Sequence, residues 1–237
     1  MGYLVIGVDH PFDSAFIEYP DNSTAVRVNE TIGTPEDAAI TVNIRVEDLQ
    51  SVLDFLSTNA TFARQIPGVH GRLHFDVGKV GVFGHSLGGA ASASAVATDS
   101  RFGCGVNMDG SLHGDVITTG VDKPFFMMAS EGHNRSNDPS WDGFLGNSKK
   151  GEVLGLEVRG SRHADFEDFS VLDDEVLATG VDIPGAEGLF GSIGGKRMLE
   201  LVGTFVGAWF DRCLEGEREV VLEGSSKEWP EVEFWNL

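Results

Sequence analysis

Residues 76–94 read DVGKVGVFGHSLGGAASAS and contain the pattern G-x-S-x-G at Gly84, Ser86 and Gly88. An apolar run at residues 80–83 precedes the serine, and small residues suited to a closely packed helix follow it. This order is typical of the nucleophile elbow, a strained strand-to-helix turn that holds a serine hydroxyl clear of a sheet. Glycine is needed on both sides because side chains there would collide with a neighbouring strand or with the helix. The stretch therefore predicts a sheet that presents Ser86 as a nucleophile.

Other parts of the chain alternate between apolar runs typical of buried strands and segments with helical periodicity. Strands are predicted at residues 3–8, 80–83, 102–108, 123–129 and 153–158. Helices are predicted at residues 36–58, 90–97 and 196–214. This alternation indicates the α/β class, with a mostly parallel sheet flanked by helices and with ligands bound at the carboxyl ends of the strands.

The connecting segments are rich in polar and turn-forming residues. A loop or small excursion is expected at residues 12–35, a polar loop at 130–151, short helices within 169–195 and an acidic tail at 215–237. The sequence has no internal repeat and no linker-like stretch. We therefore expect residues 1–237 to form one domain.

The composition is that of an acidic globular protein. Lys and Arg number 17 against 37 Asp and Glu, which gives a formal net charge of −20. Such a charge opposes binding to nucleic acid, so no nucleic-acid partner is expected. The sequence has no apolar run of about 18 residues, and Asp9 and His10 interrupt the apolar start. Neither a transmembrane helix nor a signal peptide is predicted in the sequence as given.

The cysteines and the glycosylation motifs bear on the cellular compartment. Cys104 and Cys213 are too few for a disulfide scaffold and lack zinc spacing, so they either pair with each other or stay buried and free. The motif N-x-[ST] occurs four times, at Asn22, Asn29, Asn59 and Asn134. Chance predicts about one such motif in a chain of this composition. The excess favours a secreted glycoprotein.

A serine nucleophile needs two partners that can be sought further along the chain. A histidine must accept its proton, and a carboxylate must orient and stabilise that histidine. In serine hydrolases of the α/β-hydrolase fold the order along the chain is serine, acid, histidine. Asp109 in the segment NMDG and His163 in SRHADF follow Ser86 in that order, each just after a predicted strand. We therefore predict that Ser86, Asp109 and His163 are the catalytic residues.

The segments GHSLGGA, MDG and HADF, with a last helix followed by PEVEF, resemble the platelet-activating factor acetylhydrolase family of the isoform II type. The resemblance runs over nearly the whole chain. It implies an α/β-hydrolase fold and a serine esterase that cleaves short or oxidised acyl esters of phospholipids without a metal or cofactor. It also implies that the backbone N–H of Leu87 belongs to the oxyanion hole.

The same resemblance raises an expectation about the N-terminus. Members of that family carry a second oxyanion donor in a His-Gly-containing loop upstream of the strand that matches residues 3–8. The sequence given has nothing upstream of that strand, so we expect the N-terminal strands and this donor to be missing. Loss of one oxyanion donor lowers kcat by about 10²–10³-fold.

Several residues are alternatives to the predicted catalytic residues. Glu131 follows the next strand and is the rival acid, while Asp109 could instead be an ordinary turn residue before glycine. The reserve histidines are His10, His113 and His133. His70 and His74 have the spacing of a metal pair but lie among turn-forming residues, so we interpret them as part of a loop and predict no metal site.

Three functional hypotheses remain open on the sequence. The first is the phospholipid esterase described above, with Leu189 and Phe190 as residues that could touch a lipid surface. The second is a general carboxylesterase or polyester hydrolase. The third is a non-catalytic, truncated protein of the same fold. The sequence leaves the acyl length, the head group and the oligomeric state open.

Overall fold

The protein is described here from a computed structural model, which describes residues 2–11, 13–27, 33–59, 62, 76–179 and 188–236. The strands are β1 (Phe16–Glu18), β2 (Thr24–Val26), β3 (Val80–His85), β4 (Phe102–Met108), β5 (Phe125–Ser130), β6 (Val153–Val158) and β7 (Val232–Phe234). The α-helices are α1 (Pro35–Thr58), α2 (Leu87–Thr98), α3 (Val116–Thr119), α4 (Pro139–Asn147), α5 (Asp168–Leu177) and α6 (Gly195–Glu215).

The main sheet has the strand order β3-β4-β5-β6-β7. Strands β3 to β6 are parallel, and β7 joins β6 in the antiparallel direction. Right-handed crossovers are the rule for such parallel strands, and here α2 links β3 to β4. This is the mostly parallel, helix-flanked sheet predicted for the α/β-hydrolase fold, and that prediction is confirmed.

Alternate residues of β5 show how the sheet separates two apolar cores. Phe125 and Met127 face the core formed with α1 and α2, whereas Phe126 and Met128 face the core formed with α6. All four side chains are fully buried, as expected for a central parallel strand covered on both faces. The sheet is therefore held rigidly between two layers of helices, and its carboxyl edge can position side chains with little freedom.

Helix α1 begins with a strong N-terminal capping signal in the sequence. Thr34 is its N-cap, and its side chain accepts a hydrogen bond from the backbone of Asp37 while the Asp37 carboxylate accepts the backbone N–H of Thr34. Pro35 follows at the first helical position, where its missing N–H costs nothing. This reciprocal cap fixes the N-terminus of α1 where the helix meets the candidate site.

The predicted strand at residues 3–8 is wrong. The structure assigns no strand there, and Leu4, Val5 and Ile6 are largely exposed. Tyr3 is anchored by its hydroxyl, which donates to Asp211 at 2.9 Å, and by an edge contact with Phe210. An apolar run reports hydrophobicity, but a strand also needs a neighbour to complete its backbone hydrogen bonds.

Three further differences lie in segments without strong periodicity. The acidic tail contains β7, whose pairing with β6 is a tertiary contact that its three residues do not signal. The polar loop at 130–151 contains α4, which begins at an Asp-Pro step. The excursion at 12–35 holds the antiparallel pair β1 and β2. Strands of three residues are too short to show alternation.

The two cysteines are joined. Cys104 near the start of β4 forms a disulfide with Cys213 near the end of α6, closing a separation of 109 residues. This settles the alternative between paired and free thiols. Within the described ranges, no helix is long and apolar enough to cross a membrane.

Candidate active site

Ser86 stands at the turn between β3 and α2 in a backbone conformation that non-glycine residues rarely adopt. Its φ is 56° and its ψ is −124°, and its N–H donates to the carbonyl of Met108 on the adjacent strand at 2.9 Å. The turn is feasible only with glycine nearby. A Cβ on Gly84 would lie 2.4 Å from the backbone of Gly88, and one on Gly89 would lie 1.9 Å from Asn107 Oδ1. The sequence-predicted elbow is thus a close-packed corner with a serine at its tip.

Asp109 follows β4 directly and also has a positive φ of 56°. The preceding Asn107 holds the turn, because its Nδ2 donates to the carbonyl of Gly110 at 2.7 Å and its Oδ1 accepts the Gly110 N–H at 2.9 Å. The backbone N–H of Asp109 donates to Met128 on β5 at 2.7 Å. The carboxylate is 2% exposed and accepts two hydrogen bonds from Ser130, the last residue of β5.

His163 begins a 3₁₀ turn, His163–Phe166, beyond the end of β6. Its Nδ1 lies 2.7 Å from Asp109 Oδ2, and its Nε2 lies 3.0 Å from Ser86 Oγ. Because the carboxylate only accepts hydrogen bonds, Nδ1 carries the proton and Nε2 is free to accept the serine proton. The structure therefore brings together Ser86, Asp109 and His163. In the sequence, His163 is 54 residues from Asp109 and 77 residues from Ser86.

The charges of the site are set by opposing effects. Burial raises the pKa of Asp109, but hydrogen bonds from His133, His163 and Ser130 outweigh burial and leave the pKa below its ordinary value. The hydrogen bond with Asp109 raises the pKa of His163. Beside it, burial and the charge of His163 lower the pKa of His85 to about 4, so His85 is neutral at pH 7. Asp109 is therefore ionised, and His163 is the basic group next to the serine.

The structure adds a second histidine to the acid side of the site. His133 Nδ1 lies 2.8 Å from Asp109 Oδ1, and His133 Nε2 lies 3.0 Å from Asp138 Oδ2. The ring stacks on Trp141 with 3.9 Å between centroids. From the sequence, His133 is predicted only as a reserve base, and Asp138 is not predicted. The Asp-Pro step before α4 signals a helix cap, but nothing local signals the contact with Asp109.

An open cleft of about 630 Å³ lies in front of these groups. Its wall includes Leu87, the first residue of α2, where backbone N–H groups lack an intrahelical acceptor. The opposite wall includes Thr34 and Pro35 from the start of α1. A second depression of about 570 Å³ adjoins the cleft through Ser111 and His133.

The other candidate residues lie elsewhere or have other partners. The carboxylate of Glu131 accepts the backbone N–H of Gly160 at 2.6 Å. His10 contacts Asp48, and His113 lines the cleft. His70 and His74 lie outside the described residues. Across the parts of the chain that the structure describes, no group of three or more His, Cys, Asp or Glu side chains could hold a metal ion.

The sheet order, the strained serine between β3 and α2, and a histidine beyond β6 that contacts both the serine and a buried aspartate define a protein of the α/β-hydrolase fold. The model of the family "Platelet-activating factor acetylhydrolase, isoform II" matches residues 68–187, which include all three of these residues. The chain belongs to this family, as its resemblance predicted.

Individual relatives are consistent with the family. A probable 1-alkyl-2-acetylglycerophosphocholine esterase of Arthroderma benhamiae is 30% identical over 98% of this chain. The platelet-activating factor acetylhydrolase of Cavia porcellus is 30% identical over 46% of this chain and 26% of its own length. A ferulic acid esterase from Streptomyces cinnamoneus is similar in structure, with a TM-score of 0.73 and 26% identity over 95% of this chain. The chain spans 59% of the length of the Arthroderma protein and 63% of the Streptomyces chain.

Proposed function

We propose that this chain is a serine esterase that hydrolyses short or oxidised acyl esters of phospholipids, with Ser86, His163 and Asp109 as its catalytic residues. The observation that carries the proposal is the pair of contacts made by His163, at 3.0 Å to Ser86 Oγ and 2.7 Å to Asp109 Oδ2. The names of the relatives from Arthroderma and Cavia support the phospholipid class of substrate.

The reaction is acyl transfer in two halves. His163 Nε2 takes the Ser86 proton as Oγ attacks the ester carbonyl, and the ionised Asp109 stabilises the imidazolium that forms. The backbone N–H of Leu87 faces the negative oxygen of the tetrahedral intermediate. His163 then returns the proton to the departing lysophospholipid alcohol. In the second half, His163 Nε2 takes a proton from water as the water oxygen attacks the acyl carbonyl. His163 then returns that proton to Ser86 Oγ, and the acyl group leaves as the carboxylic acid.

The experiment that tests this chemistry is labelling with a fluorophosphonate, which reacts with activated serines. We expect the wild type to be labelled and Ser86→Ala to be unlabelled, with His163→Ala reduced to the same level. Ser111→Ala is the matched control, because Ser111 lies in the same cleft but bonds to Asp138 rather than to a histidine. Absence of labelling in the wild type would contradict the proposal and favour the non-catalytic hypothesis.

A second candidate function is a general carboxylesterase, which the structural similarity to the Streptomyces ferulic acid esterase favours. The two candidates differ in the group that the cleft must accept beside the acyl chain. Rates on phospholipids with acetyl, butyryl and longer sn-2 chains should be compared with rates on 4-nitrophenyl and feruloyl esters. A preference for the simple esters at every chain length would replace the phospholipid assignment.

We further propose that the rim of the site contacts lipid. Phe169, Leu172 and Leu189 are each more than half exposed, and Arg162 ties the Leu189 segment to the His163 turn through the carbonyl of Gly188. Exposed apolar patches mark interaction surfaces. Sedimentation with phosphatidylcholine vesicles should fall for Leu189→Asp. Val220→Asp, at a still more exposed apolar residue outside these segments, is the control, and equal binding by the two variants would contradict the proposal.

We also propose that the protein follows the secretory route. It is supported by the disulfide and by the sequon at Asn22, an exposed residue with φ 64° in the turn between β1 and β2. Asn134 differs because its side chain is engaged within its own loop, by the N–H of Ser136 and the carbonyl of Gly132. Expression through the secretory pathway of a eukaryotic host should give an Asn22 glycan that peptide N-glycosidase removes. A fully unmodified product would contradict it.

A further inference from the structure

We infer that His133 is a positioning residue: a partly buried imidazolium, held between Asp109 and Asp138, that orients the catalytic carboxylate and tunes the basicity of His163. The inference rests on the proposed function, because it assigns a role within the same site. It goes beyond that function by adding a second ion pair, His133 with Asp138, behind the three residues that would perform the chemistry.

The contacts of His133 require a cation. Nδ1 and Nε2 each face a carboxylate oxygen, at 2.8 Å on Asp109 and 3.0 Å on Asp138. A neutral imidazole has one N–H and would leave one nitrogen lone pair against an oxygen lone pair. Both carboxylates are buried, with side chains 2% and 8% exposed, so water at the partly exposed ring can relieve little of such a repulsion. The doubly protonated ring satisfies both contacts.

Other contacts hold this imidazolium in place. The ring stacks on Trp141, and the indole Nε1 of Trp141 donates to the carbonyl of Gly110 at 2.7 Å, beside Asp109. Asp138 is itself fixed as the N-cap of α4 and accepts Ser111 Oγ at 2.6 Å. The arrangement therefore connects the turn after β4 rigidly to the start of α4.

The consequence for Asp109 is that each of its oxygens faces an imidazole, of which His133 carries the positive charge. His133 binds Oδ1, and His163 binds Oδ2, while Ser130 donates its N–H to Oδ1 and its hydroxyl to Oδ2. These four donors leave the carboxylate one orientation. The geometry also shares the negative charge of Asp109 between two imidazoles, so less of it is available to hold a proton on His163.

The groups that face His133 set its titration. Asp109 and Asp138 contact it directly, His163 lies on the other side of Asp109, Glu131 lines the same depression, and His113 shares the cleft. Burial lowers the pKa of His133, but the two carboxylates outweigh burial and raise the pKa to about 9. The same charge on His133 opposes the rise that Asp109 causes in the pKa of His163. The cation thus persists through neutral pH.

Two substitutions test the inference because they move charge in opposite directions. His133→Gln removes a positive charge near His163, so the acidic limb of the kcat/KM profile should move to higher pH. Asp138→Asn removes a negative charge and keeps a good helix cap, so the same limb should move to lower pH. We expect kcat/KM at the optimum to fall by about 10- to 100-fold in His133→Gln, as for outer partners that orient metal-bound histidines. If the role of His133 were purely structural, the acidic limb of the kcat/KM profile would stay at the same pH in both variants.

A second readout does not depend on activity. In the ¹⁵N-histidine-labelled protein, both ring nitrogens of His133 should be protonated at pH 7, with a midpoint near pH 9. In Asp138→Asn the midpoint should fall by about one to three pH units, the effect of losing an opposite charge at hydrogen-bonding distance. A neutral His133 at pH 7 in the folded wild type would overturn the inference. If the NMR result holds while no ester is cleaved and Ser86 is not labelled, only the proposed function fails.

Discussion

Asp109 and Ser130 are joined by two hydrogen bonds, one from the backbone N–H at 2.7 Å and one from the hydroxyl at 2.9 Å. Asp109 follows β4 and Ser130 is the last residue of β5, so the carboxylate is attached to the edge of the sheet itself. Two parallel strands thereby determine where the negative charge of the site stands.

Replacing this carboxylate tests its role. Asp109→Asn retains the shape of the side chain but removes the charge that stabilises the imidazolium of His163 and fixes its tautomer. We expect kcat to fall by up to about 10⁴-fold, the loss seen for such a change in a serine protease. Glu131→Gln should stay near the wild type, because Glu131 binds the backbone of Gly160. Ester hydrolysis under saturating substrate measures both, and an equal loss in the two variants would restore Glu131 as the acid.

The pH dependence on the acidic side follows from His163. The base must be neutral to accept the Ser86 proton, and the hydrogen bond with Asp109 raises its pKa above the ordinary 6.5. Activity should therefore be half-lost at a pH above 6.5 as the pH falls. Glu167 adds to the rise in the pKa of His163, so Glu167→Gln should move the midpoint of kcat/KM downward. An unchanged or higher midpoint in that variant would contradict the assignment of His163 as the base.

Neighbouring glycines of the elbow should differ sharply in how well they tolerate substitution by alanine. A Cβ at Gly89 would lie 1.9 Å from Asn107 Oδ1 and would displace the side chain that holds the turn before Asp109. Gly89→Ala should lower the free energy of unfolding by about 2–5 kcal/mol through overpacking and lost hydrogen bonds. The predicted collision at Gly88 is wrong, because the atom nearest to a Cβ there is 3.8 Å away, on Arg45. Gly88→Ala should therefore be neutral or slightly stabilising. Urea denaturation of the two variants provides the measurement, and equal stabilities would contradict the close contact between Gly89 and Asn107.

The disulfide should contribute to stability without taking part in the reaction. Cys104 lies near the start of β4, whereas Asp109 follows the end of that strand, roughly 16 Å away at about 3.3 Å per residue. A cross-link that closes a loop of about 100 residues stabilises a protein by up to about 5 kcal/mol. The double variant Cys104→Ala/Cys213→Ala should thus melt at lower temperature, yet still be labelled at Ser86 when folded. Dithiothreitol should lower the melting temperature of the wild type but not that of the double variant. If it also lowered the melting temperature of the double variant, the effect of dithiothreitol would not come from reduction of this disulfide.

Stability at alkaline pH should depend on His133. Its folded-state pKa of about 9 lies above the ordinary 6.5, so the stabilisation is complete below about pH 6.5 and is lost as the pH rises through 9. The loss should amount to roughly 2–3 kcal/mol, after allowance for partial solvent screening. Urea denaturation between pH 6 and 10 measures it, and His133→Gln should show a flatter dependence over the same range. A wild type whose stability is constant through pH 9 would contradict the ion pair.

The sequence alone determined the elements whose signals are local. Short stretches of sequence are enough to predict three features: the elbow at Gly84, Ser86 and Gly88, the strand Val153–Val158, and the helix α1. The family resemblance favoured Asp109 over Glu131 as the predicted acid. The sequence also left open whether Cys104 and Cys213 pair, because the separation in the chain says nothing about distance in space.

Only the tertiary structure decided the relationships between distant segments. Residues 3–8 are apolar but have no paired neighbour among the described residues, whereas the acidic tail supplies β7 because β6 offers it an open edge. The tertiary structure also brings His133 and Asp138 into the site. Their partner, Asp109, lies 24 residues before His133, and the contact exists because β4 and β5 end side by side. Local sequence sets which residues can be charged, but a buried charge acquires its role from the neighbours that the fold brings within hydrogen-bonding distance.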